Sequence, residues 1–228
     1  MNPTKINQEL APMNWTRNLI PAKKILQKSG IVLSTIILFA ISGGQGFAQQ
    51  QSEPRKISQG ELEELLKVKT RTVQHMALNP TLINAVLAQN NKTLTLDEIK
   101  KRDEKWKATS KSKEFMPLKL QLENNPAGRL LKKTVTKNSA FNEGFLTDNQ
   151  GANVANFPPT SDYWQGDEEK WLASFNAGEG KIFIGPVEFD ESTNSYAAQI
   201  SAPVYHRGNT VGVLVMGVTI SYLDAKQN

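Results

Sequence analysis

"SYAAQISAPVYHRGNTVGVLVMGVTISYL", residues 195–223, consists of two runs rich in Val, Ile and Tyr on either side of the turn cluster HRGN. β-branched and aromatic residues favour a pleated, half-buried surface, so the stretch is a predicted pair of antiparallel strands. Upstream, "KIFIGPVEF" (181–189) has the same composition and is separated from residue 195 by the turn residues DESTN. Further upstream, "FNEGFLTD" and "ANVANF" flank the turn "DNQG" and read as a hairpin. Between this hairpin and the last three strands lies "DEEKWLASFNA" (167–177), a short helix with acids in its first turn. Five strands joined mostly by tight turns imply an antiparallel sheet.

Ahead of residue 138 the apolar period is helical. Ser58 and Glu61 form an S-x-x-E capping box, and Leu62, Leu65, Leu66, Val73, Met76 and Ala77 follow on one face of a long helix. Asn79-Pro80 ends that helix and opens a second with Leu82, Ile83, Val86 and Leu87. Thr95 and Glu98 repeat the capping box ahead of a charged helix, "LDEIKKRDEKWKATS", whose inward anchors are Ile99 and Trp106. Asn125-Pro126 starts a fourth helix through Leu130, Leu131 and Val135. The order of elements predicts an α+β fold in which the long first helix covers one face of the sheet.

The chain has 228 residues and a formal charge of +5, with a pI near 9.3. Much of that charge belongs to the N-terminus. The uncharged run "IVLSTIILFAI" (31–41) follows Lys23, Lys24 and Lys28 and precedes Gly46 and Ala48, the plan of a signal peptide cleaved after Ala48. The run is shorter than a bilayer span, which favours cleavage over a retained anchor. Residues 49–57 then form a polar linker. Without residues 1–48 the net charge is +1, so the basic pI is no argument for a nucleic-acid partner. Residues 98–137 carry twelve Lys or Arg against five acids, and residues 138–228 carry four against eleven. There is no cysteine, which excludes disulfides, thiol chemistry and thiolate metal sites.

The run from "GFLTDNQGANVAN" through "SDYWQGDEEKW" to "KIFIGPVEFDESTNSYAAQISAPVYHRGNTVGVLVMGV" resembles the single Cache family, the PAS-like extracytoplasmic sensor domains of bacterial receptors. The parts that carry the resemblance are the D-x-x-G turn Asp148–Gly151, the "DYW" at 162–164, the "APVY" strand end and "GVLVMGV". It covers residues 58–223. It implies a PAS-like five-stranded antiparallel sheet with the long helix on one face, within a domain at 58–228 whose helical part is 58–138 and whose sheet part is 139–224. It also implies a small-molecule sensor in which the sheet is one wall of a pocket and the segment between the second and third strands closes over it.

On that plan Pro158 and Pro159 stiffen the start of a lid, and Tyr163, Trp164 and Trp171 present ring faces to a ligand. Hydrophobic packing of the lid is the plain alternative. Family members that bind amino acids usually carry an Arg beside this aromatic, where it clamps a carboxylate. The chain has "TSDYWQ", with Asp162, and an acid beside aromatic rings suits a cation, either an amine or a quaternary ammonium. Glu188 and Asp190 on the third strand add to the acidic surroundings, and Phe183 on the same strand is a further ligand-binding candidate. Tyr196, Gln199 and Ser201 of the fourth strand are assigned as polar wall residues opposite Ala198 and Ile200.

Catalysis finds little footing. His75 and His206 have nothing to place them together, "NAGEGKI" lacks the spacing and hydroxyl of a phosphate loop, and "DNQG" and "DESTN" do not follow a calcium-loop spacing. The expectation is a non-enzymatic, periplasmic or secreted, free-standing sensor without cofactor or metal. Its partners are a small-molecule ligand and a membrane receptor or signalling enzyme in another chain, with a homodimer through the first helix as a further possibility. The alternatives are a protein-interaction module using the basic helical face with a degenerate pocket, and an anchored sensor that keeps its leader.

Overall fold

Four of the described helix starts are fixed by side chains that take up free backbone N–H groups of the first turn. The computed structural model describes residues 58–112, 116–190 and 195–220, which belong to the unit Arg55–Asn228. The leader, the cleavage point, the linker, the DESTN turn and the end of the last strand lie outside the described residues. Helix α1 (Gln59–Ala77) begins with the expected reciprocal pair: Glu61 N donates to Ser58 Oγ at 3.3 Å, and Ser58 N donates to Glu61 Oε2 at 2.9 Å. Asn79 caps α2 (Pro80–Asn90) by accepting Thr81 N at 2.9 Å. Thr95 and Glu98 cap α3 (Leu96–Ser112) in the same reciprocal way. Such caps contribute about 1 kcal/mol each.

Between α3 and the next expected helix lies one the sequence reading did not assign, α4 (Pro117–Asn124), with proline at its first turn and Leu122 buried. It abuts α5 (Pro126–Lys137) through Asn125, which does two jobs. Its Oδ1 accepts Gly128 N at 2.8 Å, and its Nδ2 donates to Val154 O of the sheet at 2.8 Å.

The sheet contains β1 (Phe141–Thr147), β2 (Asn153–Phe157), β3 (Phe183–Ile184), β4 (Glu188–Asp190), β5 (Ser195–His206) and β6 (Asn209–Thr219), all antiparallel, in the order β2-β1-β6-β5-β3 with β4 also on β5. These six strands occupy five positions, because the single third strand expected over 181–189 is two short ones. Gly185 N still donates to Gln199 O at 2.8 Å, but Pro186 has no N–H to offer and the ladder lapses before Glu188. With that change, the architecture is the α+β, PAS-like arrangement that the resemblance implies.

The two faces of the sheet are covered differently. Leu146, Ile200, Val204, Leu214, Met216 and Val218 point to the helical side, against Leu66 and Val73 of α1, Leu82 and Val86 of α2, and Leu131 of α5. On the opposite face Phe145, Val213 and Val215 meet Trp171 of α6 (Glu169–Phe175). A bulge in β2 bears on both. Leu146 pairs with Ala155 but Thr147 with Asn153, so Val154 is the extra residue. Val154 and Ala155 therefore both join the helical core, and Asn153 and Asn156 both turn to the opposite face.

The β1–β2 turn requires glycine at one position. Gly151 has φ +82°, and a Cβ there would collide with the Cα of Gly166. Gly151→Ala is expected to lower unfolding free energy by about 2–4 kcal/mol, combining left-handed strain with a backbone clash. Urea denaturation measures it, and Gly178→Ala, which has a positive φ but open space around it, is the milder control.

Candidate functional site

The connector from Pro158 to Gly166 follows β2 back along its own start. Asn153 N donates to Tyr163 O at 2.9 Å, Ala152 and Trp164 form a bridge, and Gln165 N donates to Gly151 O at 2.8 Å. From there its side chains go to α3 and α4 instead of across the sheet. Tyr163 is 1% exposed, in a cluster with Ile99, Trp106, Leu122 and Ala152, and its ring lies 5.8 Å from that of Trp106. Trp106 Nε1 donates to Thr160 O at 2.8 Å.

The centre of this clasp is Asp103 on α3. Its Oδ1 accepts the backbone N–H of Tyr163 at 2.8 Å and of Trp164 at 3.1 Å, and its Oδ2 lies 2.7 Å from Lys107 Nζ. Lys107 also reaches Asp162, at 3.6 Å. Donating to the Asp103 carboxylate holds the pKa of the Lys107 ammonium above its ordinary value. Lys100 Nζ sits 5.1 Å over the Trp164 ring, and Lys119 Nζ 5.0 Å over Trp106.

This corrects the expected lid. Asp162 and Trp164 do attract cations, but the cations are the chain's own Lys107 and Lys100, and Tyr163 is buried against α3 and α4. The deciding contact, a carboxylate some sixty residues upstream that takes two connector N–H groups, leaves no trace in the local pattern. On this charged helix Lys100 and Lys107 are partnered within the fold.

Trp171 differs from the other two aromatics. It stacks on Phe175 at 4.7 Å and covers Phe145, Val213 and Val215, so it lies on the non-helical face of the sheet. Its Nε1 donates to Asp148 O at 3.4 Å, tying α6 to the β1–β2 turn. At its far end α6 closes on Asn176 (φ 49°) and Ala177 (φ 53°), two consecutive non-glycine residues in left-handed conformation.

Beside Trp171, on the same face, is a solvent-open cleft of about 480 Å³. Its floor is Gln199 of β5 and Glu143 of β1, and its rim is Phe183, Gly185, Pro186 and Glu188 where the third strand breaks. Glu168, Glu169 and Lys170 at the start of α6 form the remaining wall. Glu143 reaches Gln199 across β6, its Oε1 accepting Gln199 Nε2 at 2.7 Å. The strand between them carries Gly217, where a Cβ would meet Glu143 Cγ at 2.6 Å. Ser201, two residues after Gln199 on the same face, pairs in register with Phe183. Its hydroxyl is fully buried and has no hydrogen-bond partner among the described residues.

The structure thus brings Phe183, Glu188 and Gln199 together in the cleft, with Ser201 under its edge and Trp171 alongside. Asp162, Tyr163 and Trp164 are elsewhere. Tyr196 is on the other face: it stands an odd number of positions from Gln199, so strand alternation puts it with Ala198 and Ile200, where it remains 40% exposed. The side chain of Asp190 lies outside the described residues. Glu143, Glu168, Glu169 and Lys170 were missed. Glu143 could have been found from its place two residues before Phe145, and the α6 acids had been read only as favourable to a helix start.

Asp148 is 2% exposed, and burial pushes its carboxyl above the ordinary value of 3.8, opposed by hydrogen bonds from Gln150 N and Ala152 N, both 2.9 Å. A carboxyl with a raised native pKa holds its proton more tightly when folded. Its contribution to stability is therefore full below its unfolded pKa and is lost as pH rises through the native one.

No protein-family model and no curated protein matches the chain. Among solved structures it is similar to the sensor domain of the V. cholerae histidine kinase DctB, with 13% identity over 74% of this chain and 55% of that one, at TM-score 0.41. It is also similar to the ligand-binding domain of the Pseudomonas aeruginosa PAO1 amino acid chemoreceptor PctC in complex with GABA, with 15% identity over 72% and 62%, at TM-score 0.36. A third is the sensory domain of the Campylobacter jejuni chemoreceptor Tlp3 with isoleucine bound, with 16% identity over 72% and 64%, at TM-score 0.32. The chain spans less than two thirds of the length of each of these structures.

Two outcomes follow from the clasp and the turn. Asp103→Ala is expected to cost about 2–3 kcal/mol, since it strips an ionised acceptor from two N–H groups, and to speed amide exchange at Tyr163 and Trp164 selectively. Asp148→Asn, compared with the parent by urea titration from about pH 4 to pH 7, should gain stability relative to it as pH rises.

Proposed function

We propose that the chain is an exported sensor module that binds a small cationic molecule in the cleft beside Trp171 and passes occupancy to a receptor or signalling enzyme in another chain. The observation that carries this reading is the cleft's lining: four glutamates from three elements converge on it against one lysine. An anion would meet repulsion from three sides, whereas a cation finds partners on each. Among the described residues no helix is long and apolar enough to cross a membrane.

The cleft is bounded by the one stretch of the sheet edge whose pairing lapses and by the first turn of α6. A ligand held by Glu188 and Glu168 would join β4 to α6. The left-handed pair Asn176–Ala177 provides the point about which α6 turns, so binding shifts the balance between two placements of Trp171 on the sheet. The basic-face alternative is weakened by the engagement of Lys100, Lys107 and Lys119 within the fold.

Thermal-shift measurements on the purified chain against small amines, amino acids and carboxylates test this. Amines are expected to raise the melting temperature, and Glu143→Gln and Glu188→Gln to reduce the rise. Stabilisation by carboxylates alone would overturn the reading.

A further inference from the structure

The cleft's donor set narrows the ligand further, on the premise that the cleft is the binding site. We infer that it takes a linear aliphatic di- or polyamine and discriminates against quaternary ammonium compounds.

Recognition of a quaternary ammonium depends on aromatic faces, because the group has no N–H to donate. The cleft offers one ring, Phe183. The other aromatic faces are already in use: Trp164 and Trp106 lie under lysines, and Trp171 is stacked on Phe175. What the cleft has in number is hydrogen-bond acceptors. Glu168, Glu169 and Glu188 have no basic partner within ion-pairing distance among the described residues. The one lysine of the lining, Lys170, sits 5.6 Å over the Phe145 ring. Gln199 commits its Nε2 to Glu143, which leaves its Oε1 as a further acceptor at the floor.

The spacing of these groups argues for more than one ammonium. Glu143 is on the central part of the sheet, Glu188 on the outer rim and Glu168–Glu169 on the facing helix, so a single ammonium pairing with one wall leaves the other carboxylates facing each other. An amine-terminated chain spanning the cleft answers both. A separate observation points the same way: the Ser201 hydroxyl, on the same face beneath Phe183 and next along β5 from Gln199, is fully buried and unpartnered among the described residues. A buried hydroxyl without a partner is costly, and an ammonium reaching past Phe183 would supply the donor it lacks.

The test is isothermal titration of the purified chain at physiological salt with putrescine, spermidine, butylamine, choline and glutamate, repeated on Glu188→Gln, Glu168→Gln and Ser201→Ala. Putrescine or spermidine should bind with a stoichiometry of one. Each Glu→Gln change should weaken binding about five-fold, Ser201→Ala should weaken it without altering its salt dependence, and choline should give no heat. Choline or butylamine binding as tightly as the diamines would overturn the polyamine assignment while leaving a cation site in place. Several diamines per chain, insensitive to the three substitutions, would mean counter-ion condensation and overturn it as well. Binding of glutamate alone, or of none of the five, would remove both this inference and the reading it rests on.

Discussion

The carboxylate of Asp103 fastens the helical half of this chain to its sheet half. By accepting two successive backbone N–H groups at Tyr163 and Trp164 it holds the connector against α3, where neighbouring rings and lysines complete the contact. A buried ionised acceptor is stable only while its donors stay in place, so connector and α3 position each other. With the connector committed to that side, the chain that follows is delivered to the opposite face of the sheet, and this is why Trp171 rather than Tyr163 or Trp164 ends up above Phe145 and Val215.

The cleft arises from what the sheet omits. Gly217 has no side chain, so Glu143 can lie across β6 and meet Gln199. Pro186 offers no N–H, so the outer strand parts and leaves Phe183 and Glu188 on either side of a gap. Both features are absences in an otherwise densely packed sheet, and together they open the cleft beside α6.

Much of the fold was legible because its determinants are local. Each cap expected from an S-x-x-E, T-x-x-E or N-P pattern forms, and the change from helix to strand falls between Lys137 and Phe141. The miss at α4 is also local: a single buried leucine gives little periodicity, and the helix is short. The site was harder to read because its membership depends on register and on contacts between distant segments. Gln199, Glu188 and Phe183 could be chosen from strands alone. Asp162, Tyr163 and Trp164 have the composition of a cation cage, and only the partners supplied by α3 show that the cage is occupied from within. Tyr196 fails on parity alone.

Asn125 serves a helix and a sheet border at once. In capping α5 it also takes up the outward carbonyl of Val154, and just before that point the connector pairs back onto Ala152 and Asn153. One border of the sheet is thereby sealed, while the other is broken into pieces of two and three residues by Pro186. Among the described residues both borders are thus interrupted, and an interrupted edge is a poor template for a foreign strand, which guards against self-templated aggregation. A partner of any kind would therefore find side chains more readily than a continuous main-chain edge along the described strands.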